Sequence, residues 1–270
     1  MDGDLPFLAA SPENIERLKS RSVGQYGPEV GAPRLLKVLG ELGVPSTWFF
    51  PGQVALGFPD LVRAVDVGDH EVAVHGWAHR DFDTLKAADQ IDEMTHGRDA
   101  LVDVVGHPVR GFRTPAGEWA RSFIPAMAAE GFAWSSSLPS DDQPFRLFES
   151  VVEIPFRYDL EDYQYLAYNL DPPFPPGQSR ITPTGVVEAN WWQEYLGALR
   201  WGTMFLLRLN AEVIGTPGRA RMLRRFLQRI IDDGRAVFLT CGQIAATVPE
   251  GLSEEHPYQM FHRLFGAEQS

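Results

Sequence analysis

The chain has 270 residues, 44% of them hydrophobic, with 36 acidic against 24 basic side chains and a formal charge of -12. That size and apolar content suit one core of the kind an α/β barrel builds, so a single domain over residues 1–270 is expected, and the acidic balance opposes binding to nucleic acid or anionic membranes. The lone cysteine, Cys241, excludes an internal disulfide and a four-cysteine zinc site, and its apolar setting marks it as a core thiol.

Met1-Asp2-Gly3-Asp4 carries neither a basic nor an apolar leader, and no run reaches the roughly 18 apolar residues of a membrane span, so a cytoplasmic protein is the expectation. From Val23 to Phe50 the pattern predicts a Gly/Pro-rich loop, a helix over Arg34–Leu42, a stop at Gly43 and an apolar strand Thr47–Phe50. The cadence repeats with a helix at Leu61–Val65, Gly68 and a strand over Glu71–His75, then a long polar helix from about Thr84 to Val105. A strand Val109–Arg113, a helix Ser122–Ala129 and a strand over residues 151–159 follow. The five prolines of Asn169–Pro183 predict a surface loop, after which helix Val186–Trp201, strand Thr203–Asn210, helix Arg219–Asp232 and strand Ala236–Cys241 complete the chain. Such alternation predicts a parallel sheet wrapped by helices, either barrel or open.

The segment most suggestive of chemistry is His75-Gly-Trp-Ala-His79, directly after an apolar strand. Two imidazoles four residues apart fall on one side of either a helix or a strand, so they can reach a common metal. On spacing alone a chance pair is the commoner reading, but a place at the carboxyl end of a strand, where α/β barrels build their sites, favours the metal. Two neutral histidines need a carboxylate beside them, and the acidic candidates in a loop setting are Asp2 and Asp4.

The runs Gly24–Leu36, Ser46–Gly52, Gly68–His79, Arg110–Pro115, Gly131–Leu138, Val152–Pro155, Leu160–Asp162 and Trp192–Glu194 together resemble the polysaccharide-deacetylase superfamily, the NodB-homology fold. Within it they are similar to the cytoplasmic branch of peptidoglycan-deacetylase-like proteins, metal-independent allantoinases and cyclic imide hydrolases. The resemblance implies a distorted (β/α)7-type barrel, here with its first strand truncated. It also implies one divalent metal, expected to be zinc, and hydrolysis of C–N bonds other than peptide bonds in a small-molecule or sugar amide substrate. Relatives in this branch commonly form homotetramers.

By the same resemblance Asp2, His75 and His79 are the metal ligands, and the general base falls before Met1. A shifted register would make Asp2 the base and Asp4 the ligand. Arg113 is similar to the arginine that positions the catalytic carboxylate, though an ion-pairing surface arginine is an equal reading; Glu118 and Trp119 could line the substrate groove or simply be solvated and packed. Asn210 stands where the family carries a histidine acting as general acid, Ser135 where it usually carries Asp, and Thr216 where Arg is frequent. An amide orients a water or a carbonyl but moves no proton at neutral pH, so a degenerate member that keeps the fold for binding or assembly is the competing expectation. His70, at the opposite end of its strand, is read as structural; His96, His107, His256 and His262 as solvated; Trp191, Trp192 and Trp201 as core or interface; and Asp141 and Asp142 as exposed loop acids.

Overall fold

The computed structural model describes residues 18–148, 150–167 and 181–250. Asp2, Asp4, most of the proline-rich segment, His256 and His262 therefore lie outside the described residues. None of the described helices is long and apolar enough to cross a membrane.

The described sheet has six strands, β1 (Thr47–Phe50), β2 (Glu71–Val74), β3 (Gly111–Phe112), β4 (Trp134–Ser135), β5 (Phe145–Phe148) and β6 (Val151–Glu153), in the order β1-β2-β3-β4-β6-β5. Neighbours from β1 to β6 run parallel, and β5 returns antiparallel along β6 with a register irregularity between Arg146 and Phe148. Parallel neighbours need crossovers, and helices supply them. α1 (Leu18–Tyr26) leads through a π-helical turn at Gly27–Gly31 into α2 (Ala32–Leu42), which buries Leu35 and Leu39 one turn apart and stops at Gly43, whose φ of 64° glycine adopts without cost. α3 (Gly52–Gly57) and α4 (Pro59–Asp66) link β1 to β2, and α5 (Ala87–Val105) links β2 to β3. α6 (Phe123–Ala129) precedes β4, and α7 (Asp162–Leu166), α8 (Thr184–Trp201), α9 (Ala211–Ile214), α10 (Pro217–Asp233) and α11 (Cys241–Ala245) follow the sheet.

Because successive strand residues face opposite sides, the sheet divides the apolar side chains into two clusters. Phe50, Val72, Val74, Phe112 and Val151 pack under the helices, whereas Phe49, Ala73, Trp134, Val152, Ile154 and Cys241 gather on the inner face. Trp191 is fully buried in the helical layer, while Trp201 is 81% exposed and does not belong to the core.

Several sequence expectations need correction. The Gly/Pro-rich stretch before Arg34 is helical rather than loop, α3 replaces an unassigned link, and the strand expected at 109–113 pairs only at Gly111–Phe112. Only Val151–Glu153 of the expected strand at 151–159 is in the sheet; Tyr158–Leu160 is a 3-10 turn. The segments 203–210 and 236–240 are not strands among the described residues. Phe205, Leu207 and Leu209 pack with one cluster and Met204 and Leu206 with the other, so the alternation is real, but the only ladder contact among the described residues is an isolated bridge between Glu161 and Arg208. Cys241 opens a helix: the Thr240 hydroxyl accepts from the Gln243 amide while the Gln243 side chain accepts from the Thr240 amide, a capping box that overrides the apolar run before it.

Candidate metal centre

The carboxyl ends of β1, β2 and β3 set the site. The His75 amide donates to the Phe50 carbonyl at 3.0 Å and the Arg113 amide to the Val74 carbonyl at 2.9 Å, extending both ladders one residue beyond the strands. His75 is fully buried, and its Nδ1 lies 2.7 Å from the Arg113 carbonyl oxygen. A carbonyl only accepts, so Nδ1 carries the proton and Nε2 keeps its lone pair. That is the tautomer a metal-ligating imidazole needs, and a carbonyl on the far nitrogen is the arrangement that fixes such a ligand.

The ring of His79 stands edge-on to that of His75, with centroids 4.9 Å apart and planes at 75°. His79 has φ 55°, the only positive φ of a non-glycine among the described residues. Such a backbone costs on the order of 1–3 kcal/mol and persists only where the surroundings enforce it. Here the enforcing contacts come from two helices. The Gly52 and Gln53 amides at the start of α3 donate to the Gly76 and Trp77 carbonyls, each at 3.0 Å. From α5, Glu93 Oε2 accepts from the Trp77 and Ala78 amides at 2.8 and 2.9 Å, and Glu93 Oε1 accepts from Arg80 Nε at 2.7 Å. The chemistry of the two imidazoles fits a divalent cation. Among the described residues they are not joined by a third His, Cys, Asp or Glu in a ligating group, and the expected third ligand, Asp2, lies outside those residues.

Arg113 is buried, which sets aside the surface reading: Nε donates to the Ser136 carbonyl at 2.7 Å, Nη2 to Ser136 Oγ at 2.6 Å, and the guanidinium lies 4.0 Å over the Phe49 ring. Glu118 is exposed, its amide held by Asp83 Oδ1 at 2.9 Å. Trp119 donates from Nε1 to Thr114 Oγ1 at 2.5 Å and packs on Phe123, so its ring is held between those two residues. Asn210 is 2% exposed and sits on Asp162: its side-chain amide donates to Asp162 Oδ1 at 2.8 Å and its backbone amide to the same carboxylate at 3.0 Å.

Ser135 is fully buried and donates to Ser137 Oγ at 2.9 Å. Its sheet partner is Glu153, whose Oε1 accepts from the Ser137 and Leu138 amides at 2.5 and 2.8 Å. Complete burial pushes the Glu153 carboxyl up to about 7, against the opposing pull of those two amides. Burial also raises the Cys241 thiol to about 11, in line with a core role. His70 is held by Ser46 Oγ at 2.9 Å, and burial lowers its pKa. His96 lies against the Trp77 ring, and His107, expected to stand alone, pairs with Asp66 at 2.7 Å, a contact that raises its pKa.

The sequence reading missed Glu93 and Glu153 as structural determinants of this region. A signal for Glu93 exists: the buried stripe of α5 includes Gln90, Glu93, Met94, Gly97 and Leu101, so two polar residues occupy core-facing positions of an amphipathic helix.

Residues 25–134 match the polysaccharide deacetylase family model. A solved structure from Mycobacterium smegmatis, assigned to the polysaccharide deacetylases, superposes with a TM-score of 0.85 at 30% identity, covering 94% of this chain and 91% of that one. A peptidoglycan deacetylase-like protein of Gibberella zeae is 30% identical over 179 residues, 66% of this chain and 51% of its own length. An allantoinase structure shares the fold, with a TM-score of 0.76 at 20% identity over 89% of this chain and 80% of that one. The chain spans about half the length of the curated relatives it matches.

Proposed function

The chain belongs to the polysaccharide deacetylase family, and from that premise we propose that it is a metal-dependent hydrolase of C–N bonds other than peptide bonds, acting on a sugar amide or a small linear or cyclic amide. The observation that carries this reading is the His75–His79 pair at the carboxyl end of β2, with the tautomer of His75 fixed by the Arg113 carbonyl. His75, His79 and Asp2 are the proposed ligands. When bound there, a zinc or similar ion polarises an amide carbonyl and makes a water molecule more acidic. His75 brings a preset lone pair to the ion, and the peptide around Trp77 keeps His79 facing it.

The buried guanidinium of Arg113, 4.0 Å over a Phe49 ring whose centroid is 6.3 Å from that of His75, contributes fixed positive charge on this side of the strand ends. Charge preorganised in a dry site favours the oxyanion that forms when a carbonyl is attacked. The Asn210 side-chain amide is anchored on Asp162 and transfers no proton at neutral pH, so the leaving amine draws its proton from water or another group. Glu118 and Trp119 are proposed to border the substrate groove. A cytoplasmic location and a homo-oligomer are further proposals, carried by the resemblance to the cytoplasmic branch.

A second reading, a non-hydrolytic member that binds ligands, draws on Asn210 and Ser135, which stand where the family carries histidine and aspartate and which cannot take over their proton transfers at neutral pH. The two readings separate in one assay series: purified protein with added zinc is given N-acetyl sugars, allantoin and cyclic imides, and product release is followed against a His75→Ala control. Turnover abolished in the control supports the hydrolase. Stoichiometric zinc binding with no turnover of any substrate would transfer the protein to the binding class.

A further inference from the structure

We infer that Glu93 is a positioning residue that sets His79 in register with His75, an inference that rests on reading the two imidazoles as metal ligands. The loop from Gly76 to Arg80 makes no ladder contact among the described residues, yet its backbone is held on both sides. Carbonyls of Gly76 and Trp77 accept from the first turn of α3, and amides of Trp77 and Ala78 donate to one oxygen of Glu93. Four backbone groups that would otherwise be stranded next to a buried strand end are thereby satisfied.

Glu93 is 1% exposed, and a carboxylate there is costly unless its charge is matched. Its second oxygen pairs with the guanidinium of Arg80, itself 45% exposed, which carries compensating charge in from solvent. The carboxylate thus bridges residues 77, 78 and 80, the flanks of His79 on both sides, and the left-handed backbone at His79 is the conformation that lets all three donors reach one side chain. Close approach of α5 is built into the sequence. A Cβ at Gly97 would lie 2.3 Å from the Gly76 carbonyl oxygen, so only glycine lets the helix bring Glu93 this near, one turn away. Residues that orient metal ligands without touching the ion typically govern about 10–100-fold in metal affinity.

Zinc affinity measured by calorimetry, together with the visible spectrum of the cobalt-substituted protein, tests the inference on the full chain. Glu93→Ala removes the acceptor for both amides and is expected to weaken zinc binding about 10–100-fold. Glu93→Gln keeps one carbonyl oxygen but turns an amide donor toward Arg80, and is expected to fall at the lower end of that range; it serves as the measurement where Glu93→Ala fails to fold, with circular dichroism of the metal-free protein as the check. If Glu93 acts through His79, adding either substitution to His79→Ala costs no further affinity. Equal zinc affinity and an unchanged cobalt spectrum in both Glu93 variants would overturn the inference while leaving the metal site intact, as would a full additional loss in the His79→Ala background. A parent protein that binds zinc no better than His75→Ala would overturn the metal reading and this inference with it.

Discussion

Asn210 lies on the carboxylate of Asp162, its side-chain amide 2.8 Å from Oδ1 and its backbone amide 3.0 Å from the same oxygen. An imidazole at 210 could take the same carboxylate through one ring N–H and present the other nitrogen to the site, which the amide cannot do. Asn210→His is therefore predicted to raise kcat for an amide substrate by about tenfold or more, given that a placed acid or base contributes about 10²–10⁴-fold. Steady-state kinetics with added zinc across pH 5 to 9 would show the gain as a new limb in the pH–rate profile. Equal rates and unchanged profiles in parent and variant would refute an available proton-transfer position at 210.

Glu153 predicts a pH dependence of stability. Its carboxyl titrates near 4.5 in the unfolded chain and at about 7 when folded, so the native state holds the proton more tightly. The contribution of Glu153 is complete below about pH 4.5 and is lost as pH rises through about 7, a change on the order of 3 kcal/mol. Glu153→Gln leaves a carbonyl for the Ser137 and Leu138 amides and removes the titration. Urea unfolding at pH 5 and pH 8 should show the variant gaining on the parent at the higher pH only. A parallel pair of stability curves would contradict a buried, titrating carboxyl.

The packing of α5 on the loop gives a third prediction, with an internal control of opposite sign. Gly97→Ala places a methyl 2.3 Å from the Gly76 carbonyl oxygen and is expected to lower stability by about 1–3 kcal/mol and to weaken zinc binding. Gly40→Ala, in the interior of α2 with nothing beyond its own helix turn and chain neighbours within 4 Å of the new carbon, should instead stabilise by about 0.5–1 kcal/mol and leave zinc binding unchanged. Thermal melts with zinc titrations decide both; a Gly97→Ala protein as stable as its parent would mean that helix and loop are not in contact.

The sequence made the alternating α/β order legible because each step rests on local signals: Leu35 and Leu39 one turn apart before Gly43, or Val72 and Val74 flanking Ala73 ahead of His75. It also identified the two imidazoles and their position at a strand end. What it could not give was pairing. Residues 203–210 alternate as a strand should and bury the expected side chains, yet whether a ladder forms depends on a neighbour that no local pattern specifies. The strand expected over Ala236–Cys241 followed from its apolar run, and the helix start set by the Thr240–Gln243 capping box was not read from the sequence. Glu93 escaped because its importance lies in three donors on a separate loop, and only the fold brings them together.

The left-handed backbone of His79 also limits what evolution can place there. Glycine, asparagine, aspartate and histidine tolerate that conformation, whereas β-branched residues are strongly penalised. Of the tolerated set, histidine and aspartate are effective ligands for divalent ions. An exchange of His79 for aspartate would therefore cost little in backbone energy and would shift the site from a nitrogen-rich toward an oxygen-rich donor set, favouring harder ions such as manganese or magnesium. With His79 as a ligand, as proposed, ion preference would be open to change by a single substitution, while the chain trajectory that carries the residue would not.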